Sequence, residues 1–156
     1  MKKIVIAIGA DHRGFSMKEF LKKECIVSGY AIIWQDVGAH SDERSDYPLF
    51  AMRAVGHMKQ KKADCSVLLC GTGVGMAIAA NRFKGIYAAL VWNIDVARQA
   101  KEDDNANVLV LPSDYIDNEK ARAMVVAWLE AEFKYQRYEK RIAMIDAIST
   151  QQQVSD

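Results

Sequence analysis

The stretch VLLCGTGVGMAIAAN, residues 67–81, joins a short apolar run to an alanine-rich segment through a cysteine and three glycines at alternate positions. A short apolar run that ends in turn residues is typical of a buried strand, and the apolar segment beyond the glycines is typical of a helix. The sequence therefore predicts a strand at residues 66–69, a glycine loop at residues 70–75 and a helix at residues 76–83.

The same change from strand to helix recurs along the whole chain. Strand patterns occupy residues 3–9, 31–37, 66–69, 87–91 and 108–111. Helical patterns occupy residues 16–29, 48–61, 76–83, 94–102 and 118–133, and the pair Ser16 and Glu19 has the spacing of a capping box for the first of them. Strands that alternate with helices require right-handed crossovers, so the sequence predicts a doubly wound α/β domain with a five-stranded parallel sheet.

An extra helix is predicted at residues 136–149, outside the regular alternation. Apolar residues recur there at Ile142, Ile145 and Ile148, after two arginines, which indicates an amphipathic helix that packs on a partner. We expect residues 1–149 to form one domain and residues 150–156 to form a flexible polar tail.

Composition restricts the classes of function. The chain has 156 residues, and its 21 lysines and arginines nearly balance 20 aspartates and glutamates, so no overall field attracts nucleic acid or an anionic membrane. The apolar runs are too short to cross a bilayer and the first residues lack a signal-peptide pattern. The three cysteines lack metal-ligand spacing. We therefore expect a cytoplasmic protein that binds no nucleic acid, membrane or metal.

The glycine loop does not match either common nucleotide motif. Gly71, Gly73 and Gly75 have no carboxylate about 20 residues further on, which the dinucleotide fingerprint requires, and Met76 stands where a phosphate-binding loop has its lysine. The pattern leaves a loop of backbone N–H groups that runs into a helix N-terminus, where an oxyanion or a phosphate is favoured.

Cys70 enters this loop from the strand, and two interpretations of it are equally supported. A thiol near a helix N-terminus has its thiolate form favoured, so Cys70 is a candidate base or nucleophile near neutral pH, with the Thr72 hydroxyl beside it. Alternatively, Cys70 is an inert buried thiol. For Cys25 and Cys65, which lie away from the loop, a structural role is favoured.

Two further groups of polar residues are candidates for substrate contacts. Asp11 and His12 follow the first strand directly and so lie at the ligand end of the sheet, although His12 also fits an exposed turn histidine. Arg137 and Arg141 are four residues apart, so they project from one helix face and are able to grip a phosphate. A solvated arginine pair is the commoner explanation, unless the helix completes a neighbouring subunit's site.

Several stretches together resemble the type B ribose-5-phosphate isomerase family, which includes the galactose-6-phosphate isomerase subunits. They are GADHRGF at residues 9–15, ERSDYP at 43–48, CGTGVGMAIAANRFKGI at 70–86, NVL at 107–109 and the terminal arginine pair. The resemblance covers nearly the whole chain. It implies a Rossmann-like homodimer, in some members a dimer of dimers, that shares its active sites between subunits and interconverts aldose and ketose phosphates without metal or cofactor.

The resemblance also assigns roles to the residues that match the family's motifs. Cys70 becomes the base that removes the C2 proton of the open-chain sugar, which leads to a cis-enediolate. The substrate is a sugar phosphate held by both subunits, with the partner chain supplying the arginines. The loop residues implied to stabilise the enediolate are Gly71, Thr72, Gly73, Val74 and Gly75, and those implied to contact substrate are Asp11, His12, Tyr47, Arg137 and Arg141.

The stretch KEDDNANVL departs from the family. Asp103 stands where most members have the histidine that opens the furanose ring, and Asp104 stands where they have asparagine. An unperturbed aspartate has a pKa near 3.9 against about 6.5 for histidine, so Asp103 is the weaker general acid at neutral pH. Asp114 replaces a phosphate-binding arginine, Tyr138 replaces a histidine, and Tyr87 replaces the usual arginine after the glycine-rich helix.

These departures leave the substrate open. We expect ribose 5-phosphate, the commonest substrate in the family, with Asp103 catalytic and Asp104 in contact with substrate. Erythrulose 4-phosphate is an alternative because its terminal hydroxyl is esterified and it cannot close a furanose ring. A hexose 6-phosphate such as allose 6-phosphate is another, and a non-catalytic sugar-phosphate-binding subunit is the alternative from a different class.

Overall fold

The computed structural model describes residues 1–148. Strands and helices alternate in the predicted order over this part of the chain, and a sixth helix follows them. All five strands are parallel, which confirms the α/β class and the extra C-terminal helix. The strands are β1 (Lys2–Ala10), β2 (Tyr30–Gly38), β3 (Cys65–Cys70), β4 (Ala88–Leu90) and β5 (Val108–Pro112). The helices are α1 (Phe15–Glu24), α2 (Tyr47–Lys59), α3 (Val74–Asn81), α4 (Ile94–Glu102), α5 (Asn118–Glu130) and α6 (Arg137–Ile148).

The order of the strands shows where on the sheet a ligand is expected to bind. The order is β2-β1-β3-β5-β4, so the chain moves to one side of β1 for β2 and to the other side for the remaining strands. Ligands of such sheets bind beyond the carboxyl ends of the strands, where the order reverses. The reversal falls between β1 and β3, and the residues that follow these two strands are Asp11 and Gly71.

Two apolar layers cover the sheet, and β3 lies at its centre. One layer packs α1, α4 and α5 on one face through residues such as Leu21, Ala97 and Met124. The other packs α2 and α3 on the opposite face through Phe50 and Met76. All six residues of β3 are buried, which explains why this strand is an unbroken run of cysteine, serine, valine and leucine.

Some predicted boundaries are wrong by a few residues, and backbone geometry gives the reasons. The helix α1 begins at Phe15, so Ser16 lies inside the helix and does not cap it. It ends at Glu24 because Cys25 is extended. The helix α3 begins at Val74, two residues earlier than predicted, because Gly73 takes a left-handed conformation at its N-cap.

The helix α6 is the least enclosed element of the fold. None of its residues is buried, and Met144, Ile145 and Ile148 are exposed. The Tyr87 hydroxyl donates a hydrogen bond of 2.6 Å to Asp146, which fixes α6 against the start of β4. Within residues 1–148 no helix is long and apolar enough to cross a membrane. The predicted tail at residues 150–156 lies outside the described residues.

Candidate active site

The loops after β1, β3 and β5 are bonded to one another at the carboxyl end of the sheet. The Asp11 N–H donates to the Leu69 carbonyl over 3.3 Å. The Ser113 N–H donates to the Cys70 carbonyl and the Asp114 N–H to the Gly71 carbonyl, each over 3.0 Å. These bonds between segments distant in sequence hold the glycine loop rigidly at the point where the strand order reverses.

Cys70 is the last residue of β3, and its side chain lies against the loop amides. The side chain is buried, and the backbone N–H groups of Gly73 and Met76 hydrogen-bond to the thiol. Burial raises the pKa of Cys70 above its ordinary value, and the two amides only partly offset that rise. In a single copy of the chain, the prediction that the helix N-terminus favours the thiolate of Cys70 is therefore wrong, because burial raises the pKa by more than the two amides lower it.

Burial makes the thiols of the other two cysteines difficult to ionise. Burial raises the pKa of Cys25 to about 11 and that of Cys65 to about 12, and neither receives a backbone amide of the kind that Cys70 receives. Cys70 is thus distinguished from them by the donors around its sulfur. These donors favour the interpretation of Cys70 as a reactive group over an inert thiol.

The three glycines of the loop are each closely approached by a side chain from another segment. A Cβ on Gly75 would overlap the Tyr47 ring, which therefore packs directly on the loop. A Cβ on Gly73 would overlap Leu90, and a Cβ on Gly71 would overlap the Arg13 guanidinium. The requirement for glycine is strongest at Gly73, whose φ of 75° is left-handed, whereas Arg13 at Gly71 is a flexible side chain that is able to move.

Two loop amides that were expected to stabilise an enediolate are engaged within the loop. The Gly73 N–H points to the Cys70 sulfur, and the Val74 N–H donates to the Thr72 hydroxyl over 3.3 Å. Thr72 and Val74 are both exposed, whereas Gly71 is buried. The Thr72 hydroxyl is therefore accessible to a ligand at the mouth of the loop.

Asp11 and His12 are held in place by local hydrogen bonds. The buried Asp11 carboxylate accepts from the N–H groups of Arg13 (3.0 Å) and Gly14 (3.1 Å), which shapes the turn into α1. The Nδ1 atom of His12 lies 3.2 Å from the Ser45 backbone nitrogen and 3.3 Å from the Ser45 carbonyl oxygen, and the His12 N–H donates to the Ser45 hydroxyl over 3.1 Å. His12 is therefore an oriented side chain rather than a free turn histidine.

A second polar cluster surrounds the start of α6. Lys134 Nζ donates to Asp103 over 3.1 Å, and the Arg137 and Arg141 guanidinium groups lie 5.0 and 5.4 Å from the centre of the Tyr138 ring. Burial, together with the adjacent Asp103, raises the pKa of Asp104, while Arg141 opposes the rise. The structure thus brings the two aspartates and the two arginines together, as a cluster of their own.

The two clusters lie at opposite ends of the sheet. Ser66 pairs with Val108 and Cys70 pairs with Pro112, so Cys70 is four residues, or about 13 Å, along the sheet from the start of β5. Asp103 and Asp104 precede that start by several more residues. One small sugar phosphate therefore cannot touch Cys70 and the arginine cluster of the same chain.

Three residues near Cys70 were not assigned a role from the sequence. They are Arg13, Ser45 and Ser113, and each is bonded to the turn or loop that carries a predicted site residue. Ser45 and Arg13 fall inside the quoted stretches, but nothing in their spacing indicates a contact. Among the described residues, no group of three or more histidine, cysteine or acidic side chains is arranged to hold a metal ion.

Comparison with known proteins identifies the family. The Ribose/Galactose Isomerase family model matches residues 6–145. Ribose-5-phosphate isomerase B of Escherichia coli strain K12 is 37% identical over 148 residues, which cover 95% of this chain and 97% of that protein. D-erythrulose-4-phosphate isomerase 2 of Mycolicibacterium smegmatis is 37% identical over 129 residues, which cover 82% and 85%. The crystal structure of a ribose 5-phosphate isomerase from Thermotoga maritima matches with a TM-score of 0.86 and 43% identity, covering 92% of this chain and 98% of that one.

The chain therefore belongs to the ribose/galactose isomerase family. Within that family it is a sugar-phosphate isomerase, an enzyme of the isomerase class. The identity is the same, 37%, to a relative named for a pentose phosphate and to one named for a tetrose phosphate. Overall sequence identity thus does not distinguish the two sugars, and substrate specificity has to be argued from individual side chains.

Proposed function

We propose that this enzyme interconverts ribose 5-phosphate and ribulose 5-phosphate through a cis-enediolate, without metal or cofactor. The observation that carries the proposal is the Cys70 loop, a thiol bonded to backbone amides at the point where the strand order reverses. The E. coli and T. maritima proteins, which carry ribose-5-phosphate isomerase names, match nearly the full chain and support the choice of sugar.

In the proposed reaction Cys70 acts as a thiolate on the open-chain aldose. The sulfur takes the proton from C2, the electron pair moves into the C1–C2 bond, and the aldehyde oxygen becomes an enediolate oxygen. Thr72 and the loop amides other than those of Gly73 and Val74 stabilise that negative charge. The thiol then returns the proton to C1, and the hydroxyl proton of O2 passes to O1, which leaves a ketone at C2. Because burial raises the pKa of Cys70, part of the barrier is the ionisation of the thiol.

We propose that the active sites are shared between two copies of the chain, in a homodimer or a dimer of dimers. The separation of the two polar clusters supports this arrangement, since a second copy is able to bring its α6 arginines to the Cys70 loop of the first. The exposed apolar residues of α3 and α6, among them Ile78, Ile145 and Ile148, supply surface for such an interface. His12 and the second copy's arginines then hold the phosphate. A cytoplasmic location is proposed from the three free cysteines.

The test is proton exchange in heavy water, followed by NMR, with three sugar phosphates in parallel. Ribose 5-phosphate is expected to exchange its C2 proton fastest, ahead of allose 6-phosphate, which exchanges at C2, and of erythrulose 4-phosphate, a ketose that exchanges at C1. Faster exchange with one of the other two would reassign the substrate and leave the isomerase chemistry in place. Absence of exchange with all three would overturn the enzyme and support a non-catalytic sugar-phosphate-binding subunit.

A tetrose 4-phosphate is a second candidate substrate, and a specific observation favours it. Asp103 stands where the family resemblance implies a ring-opening histidine. It accepts a hydrogen bond from Lys134 and lacks the imidazole chemistry of histidine. Erythrulose 4-phosphate forms no furanose ring and needs no ring opening. The M. smegmatis relative named for this sugar, at the same 37% identity as the E. coli one, supports keeping it in the test.

Changing Asp103 to histidine is expected to raise kcat/KM on ribose 5-phosphate by about ten-fold or more, because histidine is the better general acid for ring opening at neutral pH. The rate on erythrulose 4-phosphate, which has no ring, is expected to stay within about two-fold. Glu102→His, one residue earlier at the end of α4, serves as the matched control. An equal gain on both sugars would argue against a ring-opening role for this position.

A further inference from the structure

The Arg13 side chain lies across the glycine loop beside Cys70. Its guanidinium group occupies the space that a Cβ on Gly71 would need, with Nη1 2.6 Å from that position. The side chain is 49% exposed, so the group covers the loop backbone on one side and faces solvent on the other. Arg13 is thus a cation placed at the mouth of the site, and neither the sequence pattern nor the family resemblance gave it a role.

Asp114 holds the Arg13 side chain in this position. The Asp114 carboxylate forms an ion pair with Arg13 Nη2. Asp114 is itself fixed by its N–H bond of 3.0 Å to the Gly71 carbonyl. The Ser113 hydroxyl donates to the Arg13 carbonyl over 3.1 Å. Both charged groups are therefore anchored to the segment that carries Cys70.

The pair retains unused hydrogen-bonding capacity. Arg13 bonds to Asp114 through Nη2, and over residues 1–148 no protein group accepts from its Nε or Nη1. The Asp114 side chain is 35% exposed, so its carboxylate is also open to a ligand. The exposed edge thus offers donors from Arg13 and an acceptor from Asp114 next to one another.

We propose that the Arg13–Asp114 pair recognises a neutral hydroxyl group of the sugar phosphate, the one on C3. This inference rests on the proposed function and adds to it a residue pair that determines specificity. A hydroxyl donates one hydrogen bond and accepts others, so it satisfies the carboxylate and the guanidinium together. C3 is the candidate because it is bonded to C2, the carbon that Cys70 deprotonates, and the pair lies beside the residue that follows Cys70.

Electrostatics separates this role from phosphate binding. A phosphate dianion beside the pair is attracted by Arg13 and repelled by Asp114 at similar distance, so the two Coulomb contributions largely cancel. A hydroxyl carries no net charge and meets no such repulsion. The aspartate that replaces the family arginine therefore changes the kind of group recognised at this position, from an anion to an alcohol.

The experiment compares ribose 5-phosphate with 3-deoxyribose 5-phosphate in the wild type and in Arg13→Met and Asp114→Asn. The wild type is expected to favour ribose 5-phosphate in kcat/KM by about ten-fold or more, because a group built to bond a hydroxyl discriminates against its absence. Each variant is expected to lose most of that preference by losing rate on ribose 5-phosphate, with the 3-deoxy sugar changed by less than about two-fold.

Arg98→Met is the matched control, since Arg98 forms an exposed ion pair with Asp95 on α4, away from the loop. It is expected to preserve the preference. Equal losses on both sugars would overturn the hydroxyl-recognition role while leaving the isomerase intact. A wild type that isomerises neither sugar would instead overturn the pentose phosphate assignment and this inference with it.

Discussion

Replacing Cys70 with alanine is expected to slow proton exchange between the sugar phosphate and water by about 10³-fold, the range typical of losing a general base. The reason is structural. Cys70 carries the thiol that is bonded to the amides of Gly73 and Met76 at the ligand end of the sheet, and it is the proposed base. The measurement is C2 exchange in heavy water, at substrate concentrations above and below KM so that binding and chemistry are separated.

The matched control for that experiment is Cys65→Ala. Cys65 begins the same strand and is also buried, but it lies at the end of β3 away from the loop. Both variants remove one sulfur from the core and are expected to cost similar stability, so circular dichroism and thermal unfolding monitor the fold. Near-normal exchange in Cys70→Ala would show that another group is the base.

Two inactive variants are expected to restore activity when they are produced together. One carries Cys70→Ala, and the other carries alanine at both Arg137 and Arg141. In a mixed dimer with shared sites, one site combines both lesions and the other combines the intact loop with the intact arginines. Random pairing makes half of the dimers mixed, so co-expression is expected to recover about one quarter of wild-type activity.

The control for this restoration is co-expression of Cys70→Ala with Thr72→Ala. Both lesions fall in the same loop, so every site in a mixed dimer keeps one of them and activity is expected to stay at background. Recovery is measured as kcat/KM for ribose 5-phosphate in the co-expressed mixture and again after the mixed species has been isolated through two different affinity tags, where one working site of two gives about one half of wild-type activity. If isolated mixed dimers of the first pair stayed inactive, the shared-site arrangement would be wrong.

The fold was predictable because the signals were local and repeated. Short apolar runs followed by helical periods indicate five strands in a parallel sheet, and the structure confirms both the strands and their direction. The first helix was placed with less success. Ser16 and Glu19 have the spacing of a capping box, but Asp11 already organises the turn through local hydrogen bonds and Gly14 is the N-cap of the helix. The spacing does not show which of two nearby polar side chains bonds the turn.

The site was predictable in its chemistry more than in its electrostatics. The glycine loop, Asp11, His12 and Tyr47 lie at one end of the sheet, as strand ends alone would suggest. The sequence predicts a lowered pKa for Cys70, whereas burial raises it. Burial depends on every neighbour of the side chain, and the sequence shows only the helix N-terminus. Arg13 became notable only when the structure placed it on Gly71.

Chain order also contained a signal for the division of the polar residues into two clusters. Cys70 ends a strand, whereas Asp103 and Asp104 precede one, and in a parallel sheet these positions lie at opposite ends. The roles of Asp103 and Asp104 toward substrate stay predictions, and the substitution of Asp103 by histidine addresses the first of them.

The opposite placement of the cysteine loop and the arginine helix has a consequence for gene duplication. In the proposed dimer each site draws one half from each subunit, so two identical chains carry every half twice. After duplication, one chain is free to lose its loop and its sibling to lose its arginines, while their heterodimer keeps one working site. Selection then acts separately on the two halves, and a new sugar specificity is able to evolve in one gene while the other retains the proton-transfer chemistry.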